Sequence, residues 1–270
     1  MRITSALEIG NGAPLALIAG PCVIESEEHV QFLACELSKL GAPFVFKASF
    51  DKANRSSIHS YRGPGLKEGV RILKTVRDRG IPVLTDIHEL AQAEVAAEAA
   101  DILQIPAFLC RQTDLLIAAG RTGRAVNIKK GQFISPQDIR HAADKVASTG
   151  NDRILLTERG SSFGYNNLVV DMRGLVIMRA FGWPVVFDAT HSVQLPGAAG
   201  SASGGEPQFI EPLASAAVAA GADAVFVEVH EAPERALSDG ANALESTKLR
   251  AVLKELQAVH TALAGAHATP

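Results

Sequence analysis

The sequence predicts a closed (β/α)8 barrel, and three observations lead to that fold class. Eight short apolar runs alternate along the chain with segments of helical periodicity. The runs are almost continuously apolar, as parallel strands must be when both of their faces are buried. A chain of 270 residues with 47% apolar content can fill one barrel core. We therefore expect residues 1–270 to form a single (β/α)8 domain.

The repeating unit is an apolar run followed by an amphipathic segment. The predicted strands are Ala16–Gly20, Phe44–Lys47, Val83–Asp86, Ile102–Pro106, Ala125–Lys129, Ile154–Thr157, Val185–Asp188 and Ala224–Val227. The predicted helices are Glu27–Leu40, Leu66–Arg79, Glu89–Ala100, Gln112–Ala119, a helix capped by Ser135 with Pro136 in its first turn, Leu168–Ala180, Phe209–Ala220 and Leu244–Ala264. A doubly wound open sheet is the alternative, but its glycine-rich dinucleotide fingerprint is missing.

Composition excludes several classes of function. The net charge of −3 argues against nucleic-acid binding, which depends on a broad excess of Lys and Arg. The three Cys are widely spaced and form no CxxC pair, so a disulfide framework or zinc ribbon is not predicted. The start of the chain lacks a signal-peptide pattern, and no apolar run approaches the roughly eighteen residues of a membrane span. These features predict a cytoplasmic protein without membrane contact.

Polar residues gather where the predicted strands end. In a (β/α)8 barrel the functional site lies at the carboxyl ends of the strands, so these residues are its candidates. They are Cys22, Glu25, Lys47, Ser49, Asp86, His88, Gln104, Asn127, Lys129, Lys130, Glu158, Arg159, Asp188, His191, Gln194, Glu228 and His230. Of these, Asn127, Glu158 and Asp188 are expected mainly to support others by hydrogen bonding.

The stretch from Lys47 to Ser57 combines three cations, an amide and three hydroxyls directly after the second strand. Lys47 and Lys52 supply point charges, whereas Arg55 offers a planar fork that can bind a phosphate with two hydrogen bonds. Ser56 and backbone N–H groups could satisfy the remaining phosphate oxygens. A solvated basic turn is the alternative for the stretch in isolation, but the other polar strand ends favour an anion site.

Five motifs resemble one enzyme family over nearly the whole chain. They are Ala19–Ser26, Lys47–Ser57, Gln104–Leu109, Glu158–Asn167 and Phe187–Gln194. The motif Lys-Ala-Ser-Phe-Asp-Lys-Ala-Asn-Arg-Ser-Ser resembles the signature of the 3-deoxy-D-manno-octulosonate 8-phosphate synthases. Related synthases that use erythrose 4-phosphate carry Lys-Pro-Arg-Thr there instead. The resemblance implies condensation of phosphoenolpyruvate with arabinose 5-phosphate in lipopolysaccharide (Kdo) biosynthesis.

The resemblance also implies roles for individual residues. The residues similar to the phosphoenolpyruvate site are Lys47, Lys52, Gln104, Lys129 and Arg159, and those similar to the arabinose 5-phosphate contacts are Asn54, Arg55 and Ser56. Further substrate contacts are expected from Ser49, Asp86, His88 and Gln194, and catalytic roles from Lys47, Lys52, His191 and Asp239. The family resemblance further implies a homotetramer.

A divalent metal site is expected at Cys22, His191, Glu228 and Asp239. In a closed barrel the eighth strand lies between the seventh and the first, so the first three of these residues become neighbours. Their donor atoms suit a first-row metal without choosing among zinc, iron, manganese and cobalt. A purely structural set of hydrogen bonds is the alternative. The resemblance favours a metal, because the metal-independent branch of the family carries Asn at the position of Cys22.

The predicted reaction joins C3 of phosphoenolpyruvate to the aldehyde of the sugar, while water adds at C2 and phosphate leaves. The resemblance implies no Schiff base, but a lysine-imine aldolase using Lys47 or Lys129 is an alternative. An erythrose 4-phosphate-using relative is a second alternative, and a non-catalytic sugar-phosphate sensor is a third. The task of a metal, polarising the aldehyde or positioning the water, is left open by the sequence.

Three remaining features complete the sequence predictions. The Gly-rich connection Leu195–Pro207 is expected to be a lid that orders over bound substrates. Cys35 is expected to pack in the core among the apolar residues of its helix, and Cys110 to be an unreactive thiol at the barrel rim.

Overall fold

The barrel closes through its first and eighth strands. The computed structural model describes residues 1–55, 57–199 and 202–267, so the predicted contact residue Ser56 lies outside the described residues. The eight barrel strands are β1 Ala16–Gly20, β2 Phe44–Lys47, β3 Val83–Asp86, β4 Ile102–Ile105, β5 Ala125–Lys129, β6 Ile154–Glu158, β7 Val185–Asp188 and β8 Ala224–His230. Neighbours are parallel throughout, and β8 pairs with β1 from Ala16 opposite Ala224 to Gly20 opposite Glu228. The predicted (β/α)8 fold is confirmed.

Helices surround the barrel. They are α1 Glu27–Ser38, α2 Leu66–Arg77, α3 Gln92–Ala97, α4 Thr113–Arg121, α5 Ile139–Ala147, α6 Arg173–Arg179, α7 Ile210–Ala219 and α8 Leu249–His267. The main hydrophobic core lies between helices and strands, where their apolar faces meet. A second cluster fills the barrel interior and includes Ile18, Phe226 and Ile9 of the amino-terminal segment. Among the described residues, no helix is long and apolar enough to cross a membrane.

Two predicted helices begin later than expected because short strands precede them. Leu168–Val169 pairs in antiparallel fashion with Ser161–Ser162, and α6 starts only at Arg173, whose N–H donates to Asp171 Oδ1 at 3.0 Å. Leu244–Glu245 likewise pairs with the end of β8 before α8 begins. Apolar residues in so short a strand also fit a helical stripe, so periodicity alone misplaced both starts.

The predicted starts of α3 and α5 are also wrong. The α3 segment is a helix only over Gln92–Ala97, six residues instead of the expected twelve from Glu89 to Ala100. Ser135 caps a turn rather than α5, because its Oγ accepts the N–H of Asp138 at 3.2 Å and the helix begins at Ile139. A polar cap followed by proline is typical of both turns and helix starts.

The connection predicted for Leu195–Pro207 is mostly a β-hairpin. Its strands are Gln194–Ala199 and Ala202–Gly205, with Gln194 opposite Gly205. Asn166 Nδ2 donates to the carbonyl of Pro196, and Asn242 Nδ2 donates to the carbonyl of Gly204 at 3.3 Å. The hairpin is thus attached to the neighbouring loops, and its role as a lid stays a prediction.

The cysteines outside the strand ends differ from expectation. Cys35 is exposed on α1, because the buried face of that helix consists of Val30, Leu33, Ala34 and Leu37. The prediction that it packs in the core is wrong. Cys110 is fully buried after β4, and burial raises the pKa of its thiol. An unreactive thiol is consistent with that position.

Two close backbone approaches position the loop after β2. A Cβ on Gly20 would lie 2.0 Å from the carbonyl oxygen of Lys47, so glycine lets β1 and β2 approach at the barrel mouth. A Cβ on Gly69 of α2 would lie 2.3 Å from the Cβ of Phe50. Phe50 is fully buried beneath the polar loop, so its contact with α2 fixes where that loop leaves the barrel.

Candidate active site

A cavity of 440 Å³ opens at the carboxyl ends of the strands. Nearly all of the predicted substrate, catalytic and metal-ligating residues line it, namely Lys47, Ser49, Lys52, Asn54, Arg55, Asp86, His88, Gln104, Lys129, Arg159, His191, Gln194, Glu228 and Asp239. Five of these residues carry lysine or arginine charges. The cavity is thus a concave, cation-rich space at the position where (β/α)8 enzymes bind their ligands.

Lys47 forms a buried ion pair across the barrel mouth. Its Nζ donates to Glu228 Oε1 at 2.6 Å and to the carbonyl of Cys22 at 2.7 Å. Both side chains are almost completely buried. Burial raises the pKa of Glu228, but the charges of Lys47, His191 and further lysines lower it by more. The pKa of this carboxyl group is therefore well below its usual range.

Asp188 joins two of the predicted functional residues. Its Oδ2 accepts a hydrogen bond from Lys129 Nζ at 2.5 Å and lies 2.8 Å from His191 Nδ1, while its Oδ1 accepts the N–H of His191 at 2.9 Å. Asp188 is completely buried, and burial lowers the pKa of Lys129. The Nζ of Lys129 also lies 3.9 Å from the ring centroid of Phe226. The expected supporting role of Asp188 therefore consists of orienting a lysine and a histidine at once.

A second carboxylate network lies after β3. Ser49 Oγ donates to Asp86, and His88 Nε2 lies 2.9 Å from Asp86 Oδ2. Burial raises the pKa of Asp86, but the hydrogen bond and charge of His88 and the charges of the nearby lysines lower it by more. The net result is a pKa well below its usual range. Burial lowers the pKa of His88, but Asp86 raises it above its ordinary value. The buried Nδ1 of His88 has no hydrogen-bond partner among the described residues and is available to a ligand hydroxyl.

Arg159 presents an unused donor deep in the mouth. Its Nη2 donates to Gln194 Oε1 at 2.7 Å, whereas its buried Nη1 has no partner within the described ranges. Glu158 supports the turn by accepting the N–H groups of Arg159 and Gly160 at 2.9 and 2.7 Å. Burial lowers the pKa of Arg159. A buried guanidinium with an unpaired N–H is suited to receive an anion.

Gln104 is held by Asn127, as the supporting role predicted for Asn127 requires. Asn127 Nδ2 donates to Gln104 Oε1 at 3.0 Å, and Thr157 Oγ1 donates to Asn127 Oδ1 at 2.6 Å. All three side chains are buried. The chain of hydrogen bonds fixes the amide of Gln104, so that its NH2 group can face the cavity.

Arg55 reaches from the basic loop to the loop after β8. Its Nη1 donates to Ser238 Oγ at 2.9 Å and to Asp239 Oδ1 at 3.2 Å. Nearby, burial opposes protonation of Lys52, but Cys22, Glu228 and Asp239 together raise its pKa well above the ordinary value. Lys52 therefore faces the cavity in its charged form, and Arg55 lines the same cavity.

Three of the four predicted metal ligands come together. One ligand atom from each of Cys22, Glu228 and Asp239 lies within 4.8 Å of the others. Cys22 Sγ donates to Asp239 Oδ2 at 3.3 Å, and His191 Nε2 lies 3.6 Å from Glu228 Oε2. Burial raises the pKa of the Cys22 thiol. The fourth predicted ligand, His191, thus borders the group through Glu228, and the combined thiol, carboxylate and imidazole set fits a first-row divalent ion.

Asp239 reaches this group through an unusual backbone conformation. Its backbone lies in the left-handed region, with φ of 49°. Residues other than glycine are uncommon in this region, and Asn and Asp are the ones that adopt it most readily. Strain of this kind persists where surrounding contacts determine the conformation, and it is concentrated at functional sites. At Asp239 the hydrogen bonds from Cys22 and Arg55 hold the residue in this conformation.

Not every residue of the site was predicted from the sequence, since Glu89 and Gln132 also line the cavity, and three predicted residues lie elsewhere. Ser238, whose Oγ lies 3.0 Å from Cys22 Sγ, and Phe226, whose ring lies beneath Lys47 and Lys129, were not singled out. The available signal was that Ser238 directly precedes Asp239 and that Phe226 lies two residues before Glu228 in the same strand. Lys130 instead donates to Ser161 Oγ at 3.1 Å, and Glu25 and His230 form a separate cluster with His29. None of these three lines the described cavity.

Fold and site together define a (β/α)8 barrel enzyme whose mouth gathers cations beside a thiol and carboxylate group. Residues 1–264 match the sequence model of the DAHP synthetase I family, and the chain belongs to that family. It is 61% identical over 261 residues to the 2-dehydro-3-deoxyphosphooctonate aldolase of Syntrophotalea carbinolica, covering 95% of this chain and 94% of that protein. The proteins of the same name from Trichlorobacter lovleyi and Cyanothece sp. are 58% and 56% identical, covering 94% and 98% of this chain and 95% and 98% of theirs. The family resemblance inferred from the motifs is confirmed.

We expect Asp188→Asn to lower the free energy of unfolding by about 3 kcal/mol, because it leaves the buried ammonium of Lys129 without a balancing charge. Asp171→Asn is the matched control, since Asp171 pairs with an Arg173 side chain that is 86% exposed and should change stability by less than about 1 kcal/mol. Urea unfolding followed by circular dichroism measures both. Equal, small losses would contradict the assignment of Asp188 as the balancing charge.

Proposed function

We propose that this chain is a synthase that condenses phosphoenolpyruvate with D-arabinose 5-phosphate and water. The C3 carbon of phosphoenolpyruvate bonds to the aldehyde carbon, water adds at C2, and the C2–O bond to phosphate breaks. The products are 3-deoxy-D-manno-octulosonate 8-phosphate, a precursor for lipopolysaccharide, and inorganic phosphate. The observation that carries the proposal is the convergence of five lysine and arginine side chains on one cavity in a member of this family.

The charges of the substrates match this cavity. Phosphoenolpyruvate carries a phosphate and a carboxylate, and arabinose 5-phosphate carries a second phosphate. The described mouth already contains the carboxylates of Asp86, Glu228 and Asp239, so two such anions could not enter it without several compensating cations. Five lysine and arginine side chains spread around one cavity therefore suit two anionic substrates better than one neutral ligand.

Phosphoenolpyruvate is proposed to occupy the deep part of the cavity. Arg159 supports this placement because its buried Nη1 is available to a phosphate oxygen, and Gln104 can donate from its NH2 group. Lys47, Lys52 and Lys129 supply the remaining positive charge. Lys47 and Lys129 are held in place by Glu228 and Asp188, so little side-chain freedom would be lost on binding.

Arabinose 5-phosphate is proposed to bind nearer the opening, with its phosphate at Arg55 and Asn54. Arg55 now donates to Ser238 and Asp239, and the sugar phosphate would replace those acceptors. His88, Asp86 and Ser49 form a polar wall whose unpaired His88 Nδ1 can bond a sugar hydroxyl. Gln194 and the start of its hairpin line the cavity, which supports the predicted lid.

Cys22, His191, Glu228 and Asp239 would hold a divalent ion, and the donor set fits zinc, iron, manganese or cobalt. Such an ion supplies Lewis-acid polarisation or orients an attacking water. Asp188 would orient the His191 ring through Nδ1, so that Nε2 faces Glu228. The ionised carboxylate of Asp239, adjacent to Arg55, is our candidate acceptor for the proton that the attacking water loses.

The alternatives have weaker support. The lowered pKa of Lys129 favours a Schiff-base aldolase, but its Nζ is bonded to Asp188 rather than exposed as a nucleophile. A non-catalytic sensor would not require the buried thiol and carboxylate group. We also infer a cytoplasmic homotetramer. All three Cys are free, as a reducing compartment would keep them, and the tetramer is inferred from the family resemblance alone.

We expect purified enzyme to release inorganic phosphate when phosphoenolpyruvate is mixed with arabinose 5-phosphate, and much less with erythrose 4-phosphate. The physical reason is the set of sugar contacts in Lys52–Ser57, which reads Lys-Ala-Asn-Arg-Ser-Ser where erythrose-using relatives carry Lys-Pro-Arg-Thr. A coupled phosphate assay with each aldose measures the preference. Preference for erythrose 4-phosphate would overturn the substrate assignment, and release with neither aldose would favour the sensor.

We expect Arg55→Ala to raise the KM for arabinose 5-phosphate far more than the KM for phosphoenolpyruvate. The loss in kcat/KM should be about 2 kcal/mol or more, because a charge-assisted phosphate contact disappears. Arg55→Lys should recover only part of it, since a point charge cannot reproduce two parallel hydrogen bonds. Arg140→Ala on the outer surface of α5 is the control. Equal effects on both substrates would refute the assignment, provided that metal content is unchanged.

Chelation followed by desalting should abolish phosphate release, and an added divalent metal ion should restore it. Cys22→Asn should lose most metal affinity at the mouth, because an amide is a far weaker ligand than a thiolate. Metal content by mass spectrometry and turnover are measured on the same samples. Full activity in protein shown to be free of metal would contradict the metal requirement while leaving the substrate assignment standing.

A further inference from the structure

A cluster of two histidines and two glutamates lies beside the barrel mouth and takes no part in the proposed reaction. It consists of Glu25, His29, His230 and Glu231, here called the His/Glu cluster. One ligand atom from each of Glu25, His29 and His230 lies within 4.8 Å of the others. The imidazole rings of His29 and His230 are 4.6 Å apart between centroids. Three separate elements, the loop after β1, the first turn of α1 and the end of β8, contribute to it.

Two buried nitrogens of this cluster lack partners within the described residues. They are Nε2 of His230, a residue only 5% exposed, and Nδ1 of His29, whose side chain is 9% exposed. The carboxylate oxygen Oε1 of Glu25 lies 3.5 Å from His230 Nε2, beyond an ordinary hydrogen bond. Buried polar atoms are normally satisfied, so two orphan nitrogens beside one carboxylate call for a ligand between them.

Glu231 orients the imidazole of His29 in the way that metal sites require. Its Oε2 lies 2.8 Å from His29 Nε2 and accepts a hydrogen bond from it, so the tautomer that would bind a metal has its lone pair on Nδ1. His230 Nδ1 accepts the N–H of Ala232 at 2.9 Å, which places the ring proton on Nε2 in the structure as it stands. Ligation would move that proton to Nδ1, where Glu231 Oε2 at 3.4 Å can accept it. The amide of Ala232 would lose its acceptor.

We propose that the His/Glu cluster is a second divalent cation site, separate from the group at the barrel mouth. Its ligands would be His29 Nδ1, His230 Nε2 and the Glu25 carboxylate, with solvent completing the coordination. Two imidazoles and one carboxylate, with no thiolate, suit a borderline ion such as Zn²⁺ or Co²⁺ rather than Ca²⁺ or Mg²⁺.

The ion would have a structural effect on the loop that reaches the mouth. Glu25 Oε1 accepts the N–H of Leu237 at 2.8 Å, two residues before Asp239. A cation bound to Glu25 would therefore fasten the start of α1 and the end of β8 to this loop. The proposal does not depend on the proposed reaction, because its ligands are outside the cavity.

The test uses full-length, tag-free protein equilibrated by dialysis against buffered Zn²⁺, with bound zinc counted by mass spectrometry. We expect about two equivalents in the wild type and about one in His29→Gln, which removes an imidazole but keeps a polar side chain of similar reach. His141→Gln, on the exposed side of α5, is the matched control and should retain the wild-type count. Circular dichroism confirms that each variant is folded.

Co²⁺ substitution distinguishes the two sites by their ligands. Cobalt at the mouth should show sulfur-to-cobalt charge-transfer absorption, whereas cobalt in the His/Glu cluster should show only ligand-field bands. Cys22→Ser should remove the charge-transfer signal and keep the ligand-field bands of the His/Glu cluster. His29→Gln should keep the charge-transfer signal and lose the one cobalt equivalent that has no sulfur ligand. A thiolate-free equivalent that survives in His29→Gln, or its absence from the wild type, would overturn the proposal. A wild type that shows ligand-field bands without the charge-transfer signal would support the His/Glu cluster and count against the metal at the mouth.

Discussion

The barrel mouth depends on the pairing of two buried lysines with two buried carboxylates. Lys47 with Glu228 and Lys129 with Asp188 lie at the ends of strands where solvent is excluded. Each charge alone would cost several kcal/mol to bury, so neither partner can be removed without penalty. The pairs also hold both ammonium groups over the ring of Phe226, leaving their positive field directed at the cavity.

Glu228 links this charge balance to the rest of the site. It accepts from Lys47, lies near His191, and shares a ligand-sized space with Cys22 and Asp239. A cation in that space would be repelled by Lys47, and an anion at Lys47 would be repelled by Glu228. Each ligand would offset the charge that repels the other, so their binding would be mutually favourable. The loop after β8 belongs to the same site because it carries Asp239. The N–H of Leu237 in this loop donates to Glu25, which connects the loop to the segment after β1.

The sequence by itself determined the barrel and the composition of its mouth. Buried parallel strands are short, continuous apolar runs, and this local property located β1 to β8 to within a few residues. The rule that a barrel presents its site at strand ends then turned a local pattern into a list of side chains, most of which line the cavity. Motif resemblance identified the family, because Lys47–Ser57 and its companion motifs are long and ordered.

Only the tertiary structure decided which of those side chains meet. Cys22 and Asp239 are 217 residues apart in the chain, and the left-handed backbone that brings Asp239 back has no local signal strong enough to predict it. No local signal predicts the contact of Arg55 with Ser238 or the hairpin that begins at Gln194. Nor does one predict that His230 packs against His29 instead of lining the cavity. Periodicity reports the face that a residue presents within its own element, whereas such contacts depend on barrel closure and loop path, which are set by the packing of the whole chain.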